Sequence, residues 1–482
     1  MSREEAIKAI LLDKINLLVE QTGIEVTNQQ FNNMVANFNS SSESLSYIQK
    51  EIERQFNEKI AFYQHEAHRN EVTESYLAGV NPFTEGQNCY LVSYNEGRKG
   101  IKAAKLSLMA DAVVGTNNPV KVMIDDNPAK QAYRKDSTQV ASYLDDLEIV
   151  LSQIAYLLNI DMAVTHRVYD ETVKPTGILS EDCCHKPTEK FFNFVELCKI
   201  VSQYSENPEI KEWLINFVKK YPLGENHNMS LSATPEAYRL GIEFTLKIID
   251  GLPKINDTTR QELKQKFFDM KVFEIFSNSI DSNLTNYGIV VDSTKVPYEY
   301  RFASLFDKAV INLPEVDYNN TLLNNFIVNK RDLFKTLVTY YYPFIKAKAK
   351  MIVDNKAVII PAIDTVAKDF LAYGVWKEYH ATITNNASMM EEEMAIERTK
   401  ENQSLNEKID DASNNDIATN RSNSLQRGQT VSKAKGHSLS LTNGSAPKIL
   451  LDESGKVNKR FIVEIGILIT LVIYILIHFI AV

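Results

Sequence analysis

The sequence predicts an α+β protein that is predominantly helical, with a small α+β lobe followed by a helical lobe. Apolar residues recur at helical spacing over the first 80 residues and again over most of residues 187–382. Between these segments, short β-branched runs surround one helix, which is the order expected of a small α+β lobe. The 482 residues are 44% hydrophobic and 24% charged, an ordinary globular composition that allows two or three domains.

The N-terminal module, residues 1–85, is predicted to be helical. Ser2-Arg-Glu-Glu5 forms a capping box ahead of an amphipathic helix, and this pattern is not that of a signal peptide. The three predicted helices are Glu4–Gln21, Asn28–Asn37 and Ser44–Ala78. The module carries no recognised motif, so we expect a packing module or a docking surface for a protein partner.

The small lobe, residues 86–186, has one predicted helix, Val140–Leu158, among short strands. The strand candidates are Tyr90–Tyr94, Leu106–Val114, Pro119–Ile124, Thr165–Asp170 and Thr176–Ser180. Gly115 begins Gly-Thr-Asn-Asn-Pro between two strand candidates and is a candidate phosphate-binding turn, although a plain hairpin turn explains it equally well.

The helical lobe, residues 187–382, is interrupted once. Its predicted helices are Phe191–Ser205, Pro208–Lys220, Pro235–Gly251, Thr258–Asn278, Leu322–Val353 and Ala362–His380. Between the fourth and fifth, a polar loop leads into two short β-type runs, Tyr287–Val291 and Tyr298–Ala303.

The C-terminal part changes composition twice. Residues 383–460 are rich in Asn, Ser, Glu, Lys and Thr and are predicted to be a flexible polar linker. Residues 461–482 contain an 18-residue apolar run from Ile465, interrupted only by His478 and long enough for a short transmembrane helix. Basic residues precede it, so we expect a single-pass tail anchor with the bulk of the chain in the cytoplasm.

The net charge and the cysteine pattern bear on nucleic-acid and metal binding. The formal net charge is −9, and no long basic block lies outside the linker, so a nucleic-acid partner is not expected. Four cysteines are present, at positions 89, 183, 184 and 198. The adjacent Cys183-Cys184 lacks metal-site spacing and His185 adds little, so reduced structural thiols are expected.

The interrupting loop carries the residues that phosphoryl transfer requires. Asp281 can accept a hydroxyl proton, and Asn286 and Asp307 can hold Mg²⁺ against nucleotide phosphates. The alternatives are an Asx-type turn at Asp281 and a helix N-cap at Asp307.

Around this loop, residues 90–380 resemble the HipA-like branch of the protein-kinase fold. In that family a helix ends in an N-x-D-x-(H/N)-x-x-N-(F/Y)-(G/S) loop, followed by a hairpin and an (L/F)-(Y/F)-D metal site. The matching residues here are Asn278, Asp281, Asn283, Asn286, Tyr287 and Gly288, then Leu305-Phe306-Asp307. Asn278 lies three residues before Asp281 rather than two.

The resemblance implies a two-lobed kinase-like domain that uses ATP and Mg²⁺. It makes Asp281 the catalytic base, places Asn283 where the family often has His, and makes Asn286 and Asp307 metal ligands. It also implies a strand lysine that grips phosphates and pairs with an acid on the following helix. The candidates are Lys135, which is favoured, and Lys121, with Glu148 as the partner and Asp145 as the alternative acid.

The function implied is transfer of the ATP γ-phosphate to a Ser/Thr hydroxyl of a protein substrate, at a membrane. A lipid-headgroup kinase of the phosphoinositide type is one alternative, because the membrane anchor would hold the site near lipid. A catalytically inactive kinase-fold adaptor is the other, because no G-x-G-x-x-G lies near Gly115.

Overall fold

The computed structural model describes residues 2–78, 86–95, 98–109, 120–136, 142–172, 174–221, 234–279, 284, 286–305 and 330–426. The chain divides into two compact units, Met1–Leu405 and Asn406–Val482. The described part of the second unit, residues 406–426, is helical. The features that follow belong to the first unit.

Three helices form the N-terminal module: α1 (Arg3–Thr22), α2 (Asn28–Ser40) and α3 (Leu45–Ala78). Both α1 and α2 begin with a complete capping box, at Ser2 and Thr27 respectively. The module has its own apolar core, in which Leu11 of α1 and Ile52 of α3 are fully buried. These helices agree closely with the predicted ones because their termini carry strong local signals.

The small lobe contains a seven-stranded sheet in the order β2-β1-β6-β7-β5-β4-β3, with antiparallel pairing throughout. Its strands are β1 (Cys89–Asn95), β2 (Arg98–Ala104), β3 (Leu106–Leu108), β4 (Val120–Ile124), β5 (Asn127–Asp136), β6 (Thr165–Tyr169) and β7 (Pro175–Glu181). Helix α4 (Ser142–Leu157) packs against β1, β6 and β7. The sequence analysis did not predict β2 and β5, which are rich in basic and polar residues.

A second, three-stranded sheet and, within the described ranges, six helices form the helical lobe. The sheet has the order β10-β9-β8 and consists of β8 (Glu189–Asn193), β9 (Gly288–Asp292) and β10 (Glu299–Phe302). The helices are α5 (Phe194–Tyr204), α6 (Pro208–Lys220), α7 (Pro235–Asp250), α8 (Asp257–Phe276), α9 (Lys330–Phe370) and α10 (Tyr373–Gln426). They share one large apolar core with α4, which joins the two lobes.

Helix α9 is longer than predicted because neither of its prolines ends it. Pro343 and Pro361 both lie inside the helix, and the backbone leaves helical geometry only at Tyr341, with φ −133° and ψ 20°. A proline removes one backbone donor and kinks a helix, which accounts for the departure at Tyr341, two residues before Pro343.

The structure also differs from the sequence prediction at residue 383, where the flexible linker was expected to begin. Helix α10 continues through this point, and Ile383, Ala387 and Met390 are fully buried in the large core. Their spacing of three and four residues is that of a buried helical face, which the polar composition around them obscured.

No helix within the described ranges is long and apolar enough to cross a membrane. The predicted transmembrane segment, residues 461–482, lies outside those ranges.

Candidate phosphoryl-transfer site

Strand β5 and helix α4 bring together a lysine and a glutamate on the helix-facing side of the large sheet. Lys135 Nζ lies 2.9 Å from Glu148 Oε1. Ser180 of β7 donates to the other oxygen of Glu148 across 3.4 Å. The glutamate side chain is 5% exposed and that of Lys135 is 13% exposed, so water screens this ion pair only weakly.

The second candidate lysine has a different partner. Lys121 of β4 lies 3.2 Å from Asp182, just beyond β7, and its amine sits 5.6 Å from the centre of the Tyr133 ring. Burial, together with the charge of Asp182, raises the pKa of Tyr133, so its hydroxyl keeps its proton and donates to Asp182. Lys121 is therefore held at the end of the strand, apart from the Lys135–Glu148 pair.

The loop expected to carry the catalytic base begins where α8 ends. Asn278 has a left-handed backbone with φ +60°, a conformation that Asn tolerates at a helix C-terminus. Asn278 and Ser279 are both buried, and the chain is therefore fixed up to two residues before Asp281.

Side chains from α9 and α10 bind the carbonyl groups at this helix end. Asn386 donates to Ile275 O at 3.0 Å and Phe276 O at 3.1 Å, Tyr379 donates to Ser277 O at 3.2 Å, and Lys330 donates to Ser279 O at 2.8 Å. The last carbonyls of a helix have no partner within it, so these contacts replace the missing bonds. Burial lowers the pKa of Lys330 to about 8.

A buried polar triad fixes the other side of the same loop. Lys271 Nζ lies 3.0 Å from Glu274 Oε2 and 2.9 Å from the Tyr287 hydroxyl, which donates to Glu274 Oε1 at 2.7 Å. All three are buried, with Lys271 fully enclosed. Tyr287 directly follows Asn286, and the triad therefore ties the candidate metal ligand to α8.

The hairpin that leads toward Asp307 is held by close backbone contacts. A Cβ on Gly288 would lie 2.2 Å from Phe192 O, so only glycine fits where β9 meets β8. Beyond β10, Leu305 O accepts from Ala163 N at 2.8 Å, and Leu305 N donates to Asp161 O at 3.0 Å. These bonds hold residue 305 against the connection between α4 and β6.

Half of the residues predicted for the site lie within the described ranges. Lys135 and Glu148 form the expected ion pair, Lys121 is directed to Asp182, and Asn286 is half-buried. The remaining predicted residues, Asp281, Asn283, Gly115 and Asp307, lie outside the described ranges, as does the side chain of Asp145. Whether any of these residues binds nucleotide or metal stays a prediction.

The sequence analysis missed the residues that support the site. These are Ser180, Lys271, Glu274, Lys330, Tyr379 and Asn386. A signal existed for two of them, because Lys271 and Glu274 interrupt the otherwise apolar end of α8 at a spacing of three residues. The others come from distant parts of the chain.

A cavity of about 390 Å³ lies elsewhere, between α8, β10 and the segment after α4. Its walls include Leu263, Lys266 and Phe302. Among the described residues that line it, none belongs to the predicted site.

No protein-family model and no curated relative matches this sequence. Solved structures that are similar to the chain include the following two. One is the Helicobacter pylori proinflammatory kinase CtkA, at 14% identity and a TM-score of 0.41, covering 61% of this chain and 96% of that one. The other is HipA of Shewanella oneidensis MR-1, from a complex of the toxin–antitoxin system HipA, HipB and its operator DNA, at 10% identity and a TM-score of 0.31, covering 66% of this chain and 68% of that one. Both scores are low, so these similarities by themselves do not establish a shared fold.

Proposed function

We propose that this protein is a kinase that transfers the ATP γ-phosphate to a Ser/Thr hydroxyl of a protein substrate, with Mg²⁺. The observation that carries the proposal is the buried Lys135–Glu148 pair, in which a strand lysine meets an acid on the helix that follows it. Downstream, Asp281 and Asn286 stand five residues apart after a helix, the spacing of a kinase catalytic loop.

The residues at the pair suit a nucleotide polyphosphate. A lysine amine carries a positive charge and donates hydrogen bonds only, so it suits the anionic oxygens of phosphates. Glu148 holds this amine at 2.9 Å. Lys135 would hold the α and β phosphates, while Asn286 together with Asp307 would hold Mg²⁺. The nucleotide supplies the phosphoryl group, and the metal neutralises charge that develops on it.

The chain's own contribution is to position these groups and balance their charge. Glu148 fixes the direction of the Lys135 amine, and the contacts from α9 and α10 fix the backbone that enters the catalytic loop. Asp281 would orient the substrate hydroxyl and accept its proton. Little else is required, because phosphoryl transfer depends mainly on positioning and electrostatic stabilisation.

The membrane anchor belongs to the same proposal. The apolar run in residues 461–482, preceded by Lys456, Lys459 and Arg460, supports a tail anchor that leaves the bulk of the protein in the cytoplasm. An anchored kinase would meet substrates at that membrane surface.

The test uses the full chain with Mg²⁺-ATP. We expect a rise in melting temperature and transfer of labelled γ-phosphate to a protein or peptide hydroxyl, with transfer abolished by Asp281→Asn. Asp257→Asn is the matched control, since that aspartate is exposed at the opposite end of α8.

The same experiment separates the two alternatives. Transfer to phosphoinositide vesicles but not to protein hydroxyls would identify a lipid kinase. Absence of any shift with Mg²⁺-ATP would contradict the kinase proposal and favour an adaptor.

A further inference from the structure

Two adjacent thiols and a carboxylate converge just after strand β7. The ligand atoms of Asp182, Cys183 and Cys184 all lie within 4.8 Å of one another. Cys183 is buried at 6% exposure and the Asp182 side chain is 7% exposed, whereas Cys184 is half-buried. A small ion can therefore reach the cluster from the side of Cys184.

Local hydrogen bonds hold the three donors in this arrangement. Asp182 Oδ1 accepts from Cys184 N at 2.9 Å, which closes a turn around Cys183. The Arg301 guanidinium binds the Cys183 carbonyl, and it also pairs with Glu189 at 2.9 Å. The turn is thereby fixed to β8 and β10, and the donors do not depend on a flexible loop.

A hydrogen bond between the two thiols has opposite effects on them. The Cys183 thiol donates a hydrogen bond to Cys184, which lowers the pKa of Cys184 and raises that of Cys183. Burial and the Asp182 charge oppose the thiolate form of both, whereas the Arg301 charge favours it. Two thiolates and one carboxylate carry three negative charges, so a divalent cation would leave one, which Arg301 and Lys121 surround.

The other two cysteines have no such surroundings. Burial raises the pKa of Cys89 to about 11, and burial raises the pKa of Cys198 as well. Neither joins a group of three potential ligands in the part of the chain that the structure describes. They serve as matched internal controls.

We propose that Asp182, Cys183 and Cys184 form a binding site for one thiophilic divalent cation such as Zn²⁺ or Cd²⁺. Thiolate sulfur selects soft cations over Mg²⁺, and Zn²⁺ accepts carboxylate oxygen beside sulfur. Binding breaks two S–H bonds, forms two metal–sulfur bonds and releases two protons to solvent, with no change of oxidation state. His185, which the sequence places next to the thiols, is not among the converging donors.

The proposed cation site does not rest on the proposed kinase activity, although its Asp182 also pairs with Lys121, the second candidate lysine. Cys183 packs with Val290 of β9 and with Ala303, while Asp182 ends the strand next to β5. A bound cation would therefore stiffen the junction between the large and the small sheet.

The experiment titrates the full, reduced chain with Cd²⁺ and follows thiolate-to-cadmium charge-transfer absorption and proton release. We expect one cation per chain and two protons released. Cys183→Ser and Cys184→Ser should each weaken binding at least about 100-fold, since even losses outside the ligand set typically cost 10–100-fold. Asp182→Asn should weaken it about tenfold or more, whereas Cys89→Ser and Cys198→Ser should leave it unchanged.

The melting temperature of each variant without metal shows whether it folds. If buried Cys183→Ser does not fold, the half-exposed Cys184→Ser decides. The proposed site would be wrong if Cys184→Ser bound the cation with unchanged affinity, or if binding depended on Cys89 or Cys198. The assignment of Asp182 as the third ligand would be wrong if Asp182→Asn bound with unchanged affinity.

Phenylarsine oxide provides a second probe of the two thiols. One As=O and two S–H bonds break, and two As–S bonds and one water form, while arsenic stays trivalent. Mass spectrometry should find one adduct that joins positions 183 and 184. An adduct at any other cysteine instead would contradict the proposed pairing.

Discussion

Replacing Glu148 with Gln tests whether the Lys135 amine depends on a buried counter-charge. The substitution keeps an acceptor of similar shape but removes the negative charge 2.9 Å from Nζ. Removing one partner of a buried pair costs about 3–5 kcal/mol, and the 13% exposure of Lys135 places the expected loss near the lower value, at about 3 kcal/mol. The double variant Lys135→Met/Glu148→Leu should lose much less, because apolar side chains of similar volume can replace a buried pair.

The assay is a double-mutant cycle on denaturant unfolding, with the wild type, Lys135→Met, Glu148→Leu and the double variant Lys135→Met/Glu148→Leu. Glu148→Gln is measured beside the cycle. We expect a coupling free energy of about 2–3 kcal/mol between positions 135 and 148. The exposed pair of Lys102 and Asp125 is the control, and it should show about 0–1 kcal/mol. A coupling below about 0.5 kcal/mol at the buried pair would refute the reasoning, since such a value is that of solvated or independent charges.

The same variants report on nucleotide binding. At a nucleotide concentration 100 times Kd, Mg²⁺-ATP should stabilise the wild type by about 2.7 kcal/mol, and Lys135→Met should lose most of this stabilisation. If Lys121→Met loses it and Lys135→Met keeps it, the phosphate-binding lysine is Lys121.

Three further predictions concern the surrounding structure. Asn386→Ala removes the side-chain donor from two buried carbonyls at the end of α8, so it should destabilise the protein by about 1–3 kcal/mol and slow phosphotransfer while nucleotide stabilisation persists. The control is Asn355→Ala, at an exposed position of α9. Burial lowers the pKa of Lys330 to about 8 from an ordinary 10.5, so the unfolded chain binds more protons than the folded chain between these two pH values. The unfolding free energy of the wild type, relative to that of Lys330→Met, should therefore rise with pH in this range. A difference that does not change with pH would contradict the burial of Lys330. Burial also lowers the pKa of His65, whose Nε2 lies 2.9 Å from Leu371 O while Nδ1 is buried without a hydrogen-bond partner. The docking of α3 should therefore weaken as the pH falls below about 6.5, because the unfolded chain then binds more protons at this position. Hydrogen exchange in α3 measures this effect, and His65→Gln should remove the pH dependence.

The elements that sequence reasoning located well are those with local signals. Helix α6 begins after Asn207, whose side chain caps it, with Pro208 in the first position, and the predicted and observed bounds agree. The hairpin β9–β10 was also expected, because β-branched and aromatic residues dominate both runs.

Strand β5 shows why other elements were missed. It reads NPAKQAYRKD, with low intrinsic strand propensity, and Ala132 is the only residue with a described side chain in it that is fully buried. Its conformation comes from pairing with β4 on one side and β7 on the other. Such pairing is a tertiary effect that no local pattern contains.

The candidate site also has one part that could be predicted from the sequence and another part that could not. The order of a strand lysine and a helix acid could be predicted from the sequence, and Lys135 and Glu148 do meet. The contacts of Lys330 and Asn386 could not, because they lie 51 and more than 100 residues from the carbonyl groups that they bind. Long-range contacts of this kind leave no periodicity in the chain.

The place of Asn386 in α10 has a consequence for how this protein can be divided. A fragment that ends at residue 382, where composition alone sets the boundary, would keep every predicted catalytic residue but would lose Asn386 and the buried face that follows Ile383. Ile275 O and Phe276 O at the end of α8 would then lose their side-chain donor, directly ahead of the loop. The smallest portion able to work on its own therefore extends at least through Met394, so the polar-looking segment cannot be exchanged freely between relatives as a spacer.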